Sequence, residues 1–126
     1  MLAKILVAED EIDISFIIGE ALKKKGHIVS FAFDGEETLK KAKKENPDLV
    51  ILDIMMPKMD GFAVHHELKK DPKTKKMFIL VQTAKADAKN VFLSDKSYEV
   101  DGFLEKPFDL TKFFDMVEGI LKSKKA

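Results

Sequence analysis

Glu9 and Asp10 close the apolar run Ile5-Leu6-Val7-Ala8, and Asp53 closes Leu49-Val50-Ile51-Leu52. Thr83 stands two residues past the run Phe78-Ile79-Leu80-Val81, and Lys106 two residues past Gly102-Phe103-Leu104. Three carboxylates brought together disfavour one another's ionisation unless a cation neutralises them. A hard divalent ion, Mg²⁺ or Mn²⁺, fits such a set: it accepts a few carboxylates, keeps several waters and then binds phosphate oxygens. An ammonium facing the acids can orient one of them or neutralise an anion transferred onto it. At about 4 Å and an effective dielectric near 20, one such pair interacts by roughly 4 kcal/mol before desolvation. With a hydroxyl to hydrogen-bond a phosphoryl oxygen, these are the parts of phosphoryl transfer to Asp53 by positioning and electrostatics.

The parts converge only if the apolar runs are neighbouring parallel strands. Short apolar runs bounded by charges and turn residues read as strands buried on both faces. Strand-like and helix-like segments alternate throughout. Strands are expected over Lys4 to Ala8, Ile28 to Phe33, Asp48 to Asp53, Met77 to Gln82 and Val100 to Leu104. Helices are expected over Glu11 to Lys25, Gly35 to Glu45, from the end of the loop Met56 to Gly61 through Lys70, around Asp87 to Ser94, and from an Asp109 N-cap to about Lys122. Five such units imply an α/β fold, a doubly wound five-stranded parallel sheet with helices on both faces. Ligands of open sheets of this kind bind at the carboxyl ends of the strands, where Glu9, Asp10, Asp53, Thr83 and Lys106 fall.

The bulk composition narrows the function. The 126 residues suit one domain spanning 1–126, with no effector domain expected. Acidic and basic residues balance at 22 each, so charge points neither to nucleic acid nor to an anionic membrane. Every basic residue is lysine, so bidentate guanidinium recognition of phosphate is replaced by Lys, backbone N–H or metal. The chain has no cysteine, which excludes disulfides, thiolate catalysis and Cys-based zinc sites. No apolar stretch reaches membrane-span length and no signal-peptide profile opens the chain, so a cytoplasmic location is expected. His27, His65 and His66 are expected at the surface or its boundary. His65 and His66 are adjacent on a helix and cannot face one point together.

Four segments then carry a resemblance: ILVAEDE (5–11), LVILDIMMPKMDGF (49–62), Thr83-Ala84 and FLEKPF (103–108). They look like those of response-regulator receiver domains of two-component signalling, over essentially the whole chain and in the family's order. The resemblance implies a flavodoxin-like (β/α)5 fold with strand order 2-1-3-4-5. It implies Asp53 as phosphoacceptor, Glu9, Asp10, Asp53 and the Met55 carbonyl as Mg²⁺ ligands, and Thr83 and Lys106 as partners of the phosphoryl group. Phe103 would be the aromatic that moves with Thr83, and Met55 and Lys85 would tune phosphoryl lifetime. The partners implied are a histidine kinase or histidine phosphotransfer protein and an unknown downstream protein. The protein is expected to be a stand-alone signalling switch, not an enzyme with a separate substrate.

Some positions depart from the family pattern. Glu9 stands where aspartate is often found, Gln82 is polar where an apolar or small residue is more usual, and residues 85–100 lack the family's small-residue turn. On the first helix, Ile14, Ile17, Ile18, Ala21 and Leu22 share the expected core face. Ile12 and Phe16 form an i,i+4 pair on the other side, beside the acids. With Ile14 they are the expected docking residues for the histidine-bearing partner. Three other readings compete. One is a receiver that no longer accepts phosphate and serves only as a binding surface; the complete set Asp10, Asp53, Thr83 and Lys106 argues against it. An aspartate-nucleophile phosphatase would need a second acid at position 55, which is Met. A flavin module would need a hydroxyl- and glycine-rich phosphate loop where Glu9-Asp10-Glu11 stands.

Overall fold

The structure, a computed structural model, describes residues 2–54, 58, 61–83, 100–106 and 109–123. Five strands, β1 (Lys4–Ala8), β2 (Ile28–Ala32), β3 (Leu49–Asp53), β4 (Phe78–Thr83) and β5 (Gly102–Glu105), form one sheet in the order β2-β1-β3-β4-β5. Every adjacent pair is parallel. Helices α1 (Ile12–Lys24), α2 (Gly35–Glu45), α3 (Gly61–Lys70) and a C-terminal helix (Leu110–Ser123) connect or follow them. The expected helix at 87–94 lies outside the described residues, as do Met55, Lys85, Pro107 and Phe108.

The strands are apolar on both faces because both faces are covered. Leu6, Val50, Leu52, Ile79 and Val81 pack on one side with Val64 and Leu68 of α3 and Ala42 of α2. Ile5, Val7, Ile51, Leu80 and Leu104 pack on the other with Ile18 and Leu22 of α1 and Phe113 and Val117 of the C-terminal helix. Each fully buried Leu, Ile or Phe side chain contributes roughly 1.5–3 kcal/mol to holding those layers together. Helix ends are fixed locally. Asp34 accepts from the Glu37 N–H at 2.8 Å, while the Glu37 carboxylate accepts from the Phe33 N–H at 2.7 Å. These reciprocal bonds resemble a capping box. Asn46 closes α2 in the left-handed conformation, φ 53°.

Two expectations about packing need correction. Ile17 is 60% exposed. The buried side of α1 is instead Ser15, Ile18, Gly19 and Leu22. It turns this way because Phe31 of β2 lies against Gly19, where a Cβ would come within 2.3 Å of the ring. The histidine assignment also changes. His65 is fully buried on α3 and His27 is 8% exposed, while His66 alone faces solvent.

His27 is buried because its Nδ1 accepts the Ala3 N–H at 3.1 Å, joining the start of β1 to the α1–β2 turn. That bond requires a neutral ring with its proton on Nε2. Burial holds the His27 pKa below the ordinary 6.5, against the opposing pull of Glu118. Below about pH 6.5 the unfolded chain therefore binds more protons at this position, and the contribution to stability falls as pH drops. In urea titrations, His27→Gln, which keeps an acceptor but does not titrate, is expected to flatten that acid-side decline. An unchanged profile would assign the decline to other groups.

Candidate functional site

The sheet register builds the site. Val7 is paired with Ile51 and Ala8 with Leu52, which places Glu9, the next residue, beside Asp53. Asp53 is paired with Gln82, and Gln82 with Leu104. In parallel strands paired residues share a face and alternate along the chain. Glu9, Asp53, Gln82 and Leu104 thus form one row, on the face covered by α1 and the C-terminal helix. Lys106, two residues past Leu104, returns to that face. Asp10 is exposed just past the row, at the entrance to α1.

Lys106 ties the row together. Its Nζ donates to Asp53 Oδ2 at 3.0 Å and to Glu9 Oε1. The Lys106 side chain is 14% exposed, Glu9 is fully buried and Asp53 nearly so. Glu9 Oε2 accepts from the Glu11 N–H at 3.1 Å, and Gln82 Nε2 lies 3.4 Å from Glu9 Oε1. Burial pushes the Glu9 carboxyl up to about 7 despite its bonds to Lys106 and the Glu11 N–H, with the Asp53 charge adding to the rise. Burial also works against the Lys106 ammonium, but its bonds to Glu9 and Asp53 outweigh it and hold its pKa above 10.5. The asymmetry between the partners follows from exposure: the ammonium keeps some contact with water and the Glu9 carboxylate has none.

The donor set suits a hard cation. Glu9, Asp10 and Asp53 each offer one carboxylate oxygen, and these atoms lie within 4.8 Å of one another. All-oxygen donors with one exposed member match an ion that retains waters, as Mg²⁺ and Mn²⁺ do. The Met55 carbonyl falls outside the described residues.

Thr83 is buried at the end of β4, paired with Glu105, and its carbonyl accepts the Lys106 N–H at 2.9 Å. By alternation its side chain leaves β4 on the face opposite Gln82, with Val81. Phe103, paired with Val81, is half-buried against the same core. On α1, Ile12 and Phe16 are 56% and 55% exposed, and Ile17 extends their patch. Phe16 meets Phe31 edge-on at 5.9 Å, and Phe31 stacks on Phe33 at 6.4 Å. Ile14 is half-buried against the core and offers less surface than its neighbours. Gln82 is the residue whose contact the sequence reading missed; its polarity in an otherwise apolar strand was the signal.

A doubly wound 2-1-3-4-5 sheet with carboxylates and a lysine at its carboxyl edge defines a flavodoxin-like domain with an acidic pocket. The family model described as response regulator receiver domain matches residues 5–118. The chain belongs to that family, the receivers of two-component signal transduction. It is 40% identical over 120 residues to the alkaline phosphatase synthesis transcriptional regulatory protein PhoP of Bacillus subtilis, covering 94% of this chain and 48% of PhoP. It is 36% identical over 125 residues to the response regulator PleD of Caulobacter vibrioides, covering 98% of this chain and 27% of PleD. Among solved structures, the chemotaxis response regulator CheY4 of Vibrio cholerae superposes with a TM-score of 0.86 at 29% identity, covering 95% of this chain and 99% of CheY4. The chain spans about half the length of curated relatives such as PhoP. Relatives named as transcriptional regulators do not support the expectation of no nucleic-acid partner. No helix among the described residues is long and apolar enough to cross a membrane.

Proposed function

We propose that this chain is a phosphoacceptor switch in which Asp53 receives a phosphoryl group from a phosphohistidine on a histidine kinase or phosphotransfer protein. In the transfer an Asp53 carboxylate oxygen bonds to phosphorus, the N–P bond breaks, and the imidazole leaves with the bonding electron pair and takes up a proton. The observation that carries this reading is the Lys106 ammonium shared between Asp53 and Glu9 at the carboxyl edge. It holds the Asp53 carboxylate by one oxygen and can follow the negative charge onto the phosphoryl group. Glu9, Asp10 and Asp53 would hold Mg²⁺, with the Met55 carbonyl as a further ligand; a bound ion supplies charge neutralisation at the phosphoryl oxygens. Thr83 would hydrogen-bond a phosphoryl oxygen, and Phe103, on the same face, would move with it. That movement changes the surface around the fourth and fifth strands, which a downstream protein reads. Met55 and Lys85 tune phosphoryl lifetime in this reading. No separate substrate is turned over.

The test is intact mass after incubation with acetyl phosphate and Mg²⁺, beside an Asp53→Asn variant. One phosphoryl adduct that requires both Mg²⁺ and Asp53 is expected. Absence of an adduct, with a control receiver labelled under the same conditions, would overturn the reading. A second donor tests the partner face: alanines at Ile12 and Phe16 should slow transfer from a histidine kinase and leave labelling by acetyl phosphate unchanged. Equal slowing with both donors would remove α1 as the docking element.

A further inference from the structure

Gln82 has no part in the chemistry above, yet it is fully buried between Asp53 and Leu104 in the row that forms the site. A buried amide with a group left unsatisfied is costly. The Gln82 Oε1 has no hydrogen-bond partner among the described residues. An apolar side chain would fill the same position without that cost, so what the amide does on its other side matters. Its Nε2 reaches Glu9 Oε1, the oxygen that also binds Lys106.

The reach depends on both side chains. Glu9 extends from the end of β1 and Gln82 from β4, with β3 and Asp53 between them. Two inter-strand spacings separate their backbones by about 9–10 Å. A glutamate arm and a glutamine arm together span that gap above Asp53. An aspartate at position 9 is one methylene short of it. The two residues noted as departures in the sequence are therefore one matched pair.

We infer that Gln82 is a positioning residue: its amide, sharing Glu9 Oε1 with Lys106, holds the Glu9 carboxylate beside Asp53 and keeps the acidic set in shape for a divalent cation. This rests on the reading of the site as a cation-dependent phosphoacceptor. Among the described residues, the fully buried Glu9 accepts the Glu11 N–H on Oε2 and the Lys106 ammonium on Oε1. The Gln82 amide is the remaining donor on Oε1.

Mn²⁺ alone is the probe, titrated into the unphosphorylated full chain and followed by electron paramagnetic resonance of the free ion. Wild type, Gln82→Met, Glu9→Asp and the double variant complete a cycle. Methionine keeps length and volume but removes the donor. Gln82→Asn, which keeps the amide but shortens the arm, is a second way to break the contact. Losing an outer partner of a metal-ligating carboxylate should weaken Mn²⁺ binding roughly tenfold in the Glu9 background. In the Glu9→Asp background, where the arm no longer reaches, Gln82→Met should change nothing. Unchanged affinity in the Glu9 background, or an equal loss in both backgrounds, would overturn the inference, since a general packing role predicts the latter. Failure of wild type to bind Mn²⁺ would instead overturn the cation-dependent reading itself.

Discussion

Gly61→Ala is expected to slow phosphorylation of Asp53 by acetyl phosphate by up to about 100-fold, through geometry alone. Gly61 is the first residue of α3, and its N–H donates to the Ile54 carbonyl at 2.8 Å. A Cβ there would lie 2.4 Å from Ile54 Cα and 3.2 Å from the Asp53 carbonyl oxygen. Those are backbone atoms and cannot rotate aside, so either α3 or the end of β3 must move. A misplacement near 1 Å at a reacting group costs on the order of 100-fold in rate, and overpacking of this kind costs about 1–3 kcal/mol in stability. The initial rate of adduct formation and the urea midpoint report the two effects separately. Gly119→Ala is the matched control: a Cβ there meets nothing within 4 Å, and replacing a helical glycine stabilises by roughly 0.5–1 kcal/mol. A wild-type rate for Gly61→Ala would show that α3 absorbs the added methyl without disturbing Asp53.

Glu9→Gln is expected to stabilise the metal-free protein at pH 8 and to leave it nearly unchanged at pH 5. Burial raises the Glu9 carboxyl from 4.5 to about 7. The folded protein therefore holds a proton that the unfolded chain has already released. This contribution to stability is fully present below pH 4.5 and is lost as pH rises through about 7. At about 1.4 kcal/mol per unit, the loss is on the order of 3 kcal/mol. Glutamine mimics the protonated acid at every pH and removes the slope. The measurement is urea denaturation across pH 5–8 in the presence of a chelator. Mg²⁺ should stabilise wild type at pH 8, because a cation restores the value of the ionised carboxylate. The Glu9 slope runs opposite in sign to that of His27, so Glu9→Gln and His27→Gln separate the two. A pH profile unaltered by Glu9→Gln would locate the burial cost elsewhere.

The sheet was readable from the sequence because strands buried on both faces must be continuously apolar, and each run ended in a charge or a hydroxyl. Strand ends shifted by a residue or two: β4 runs on to Thr83 and β5 begins at Gly102 rather than Val100. The extra pairing at the end of β4 is Thr83 with Glu105, a tertiary contact that local pattern does not encode. Asp101 delays β5 for a similar reason, its carboxylate accepting the Ile79 N–H at 2.8 Å. On α1, the apolar residues outnumber the positions the core can take, so hydrophobicity alone misassigned Ile17. The fit of Phe31 against Gly19 decided the helix rotation, and that fit is visible only in three dimensions. His65 followed the same logic: on a helix with Val64 and Leu68 buried, its position and not its polarity set its burial. In the site, residue types and strand ends disclosed that Glu9, Asp10, Asp53 and Lys106 gather at one sheet edge. They did not disclose that Lys106 binds Glu9 and Asp53 together, or that Gln82 reaches across Asp53.

The backbone of Lys106 stays bonded to the Thr83 carbonyl at 2.9 Å while its side chain reaches two carboxylates. Its ammonium is thus the tip of an arm with an anchored shoulder. Exchange of one anionic partner for another needs only torsion about side-chain bonds. No strand has to slide for that first response. The same anchor joins the arm's root to the strand end that carries Thr83, so main-chain displacement at either residue is felt at the other. In the proposed switch, recoil of the Lys106 side chain is thereby kept apart from main-chain displacement at Thr83, with one peptide hydrogen bond as the joint between them.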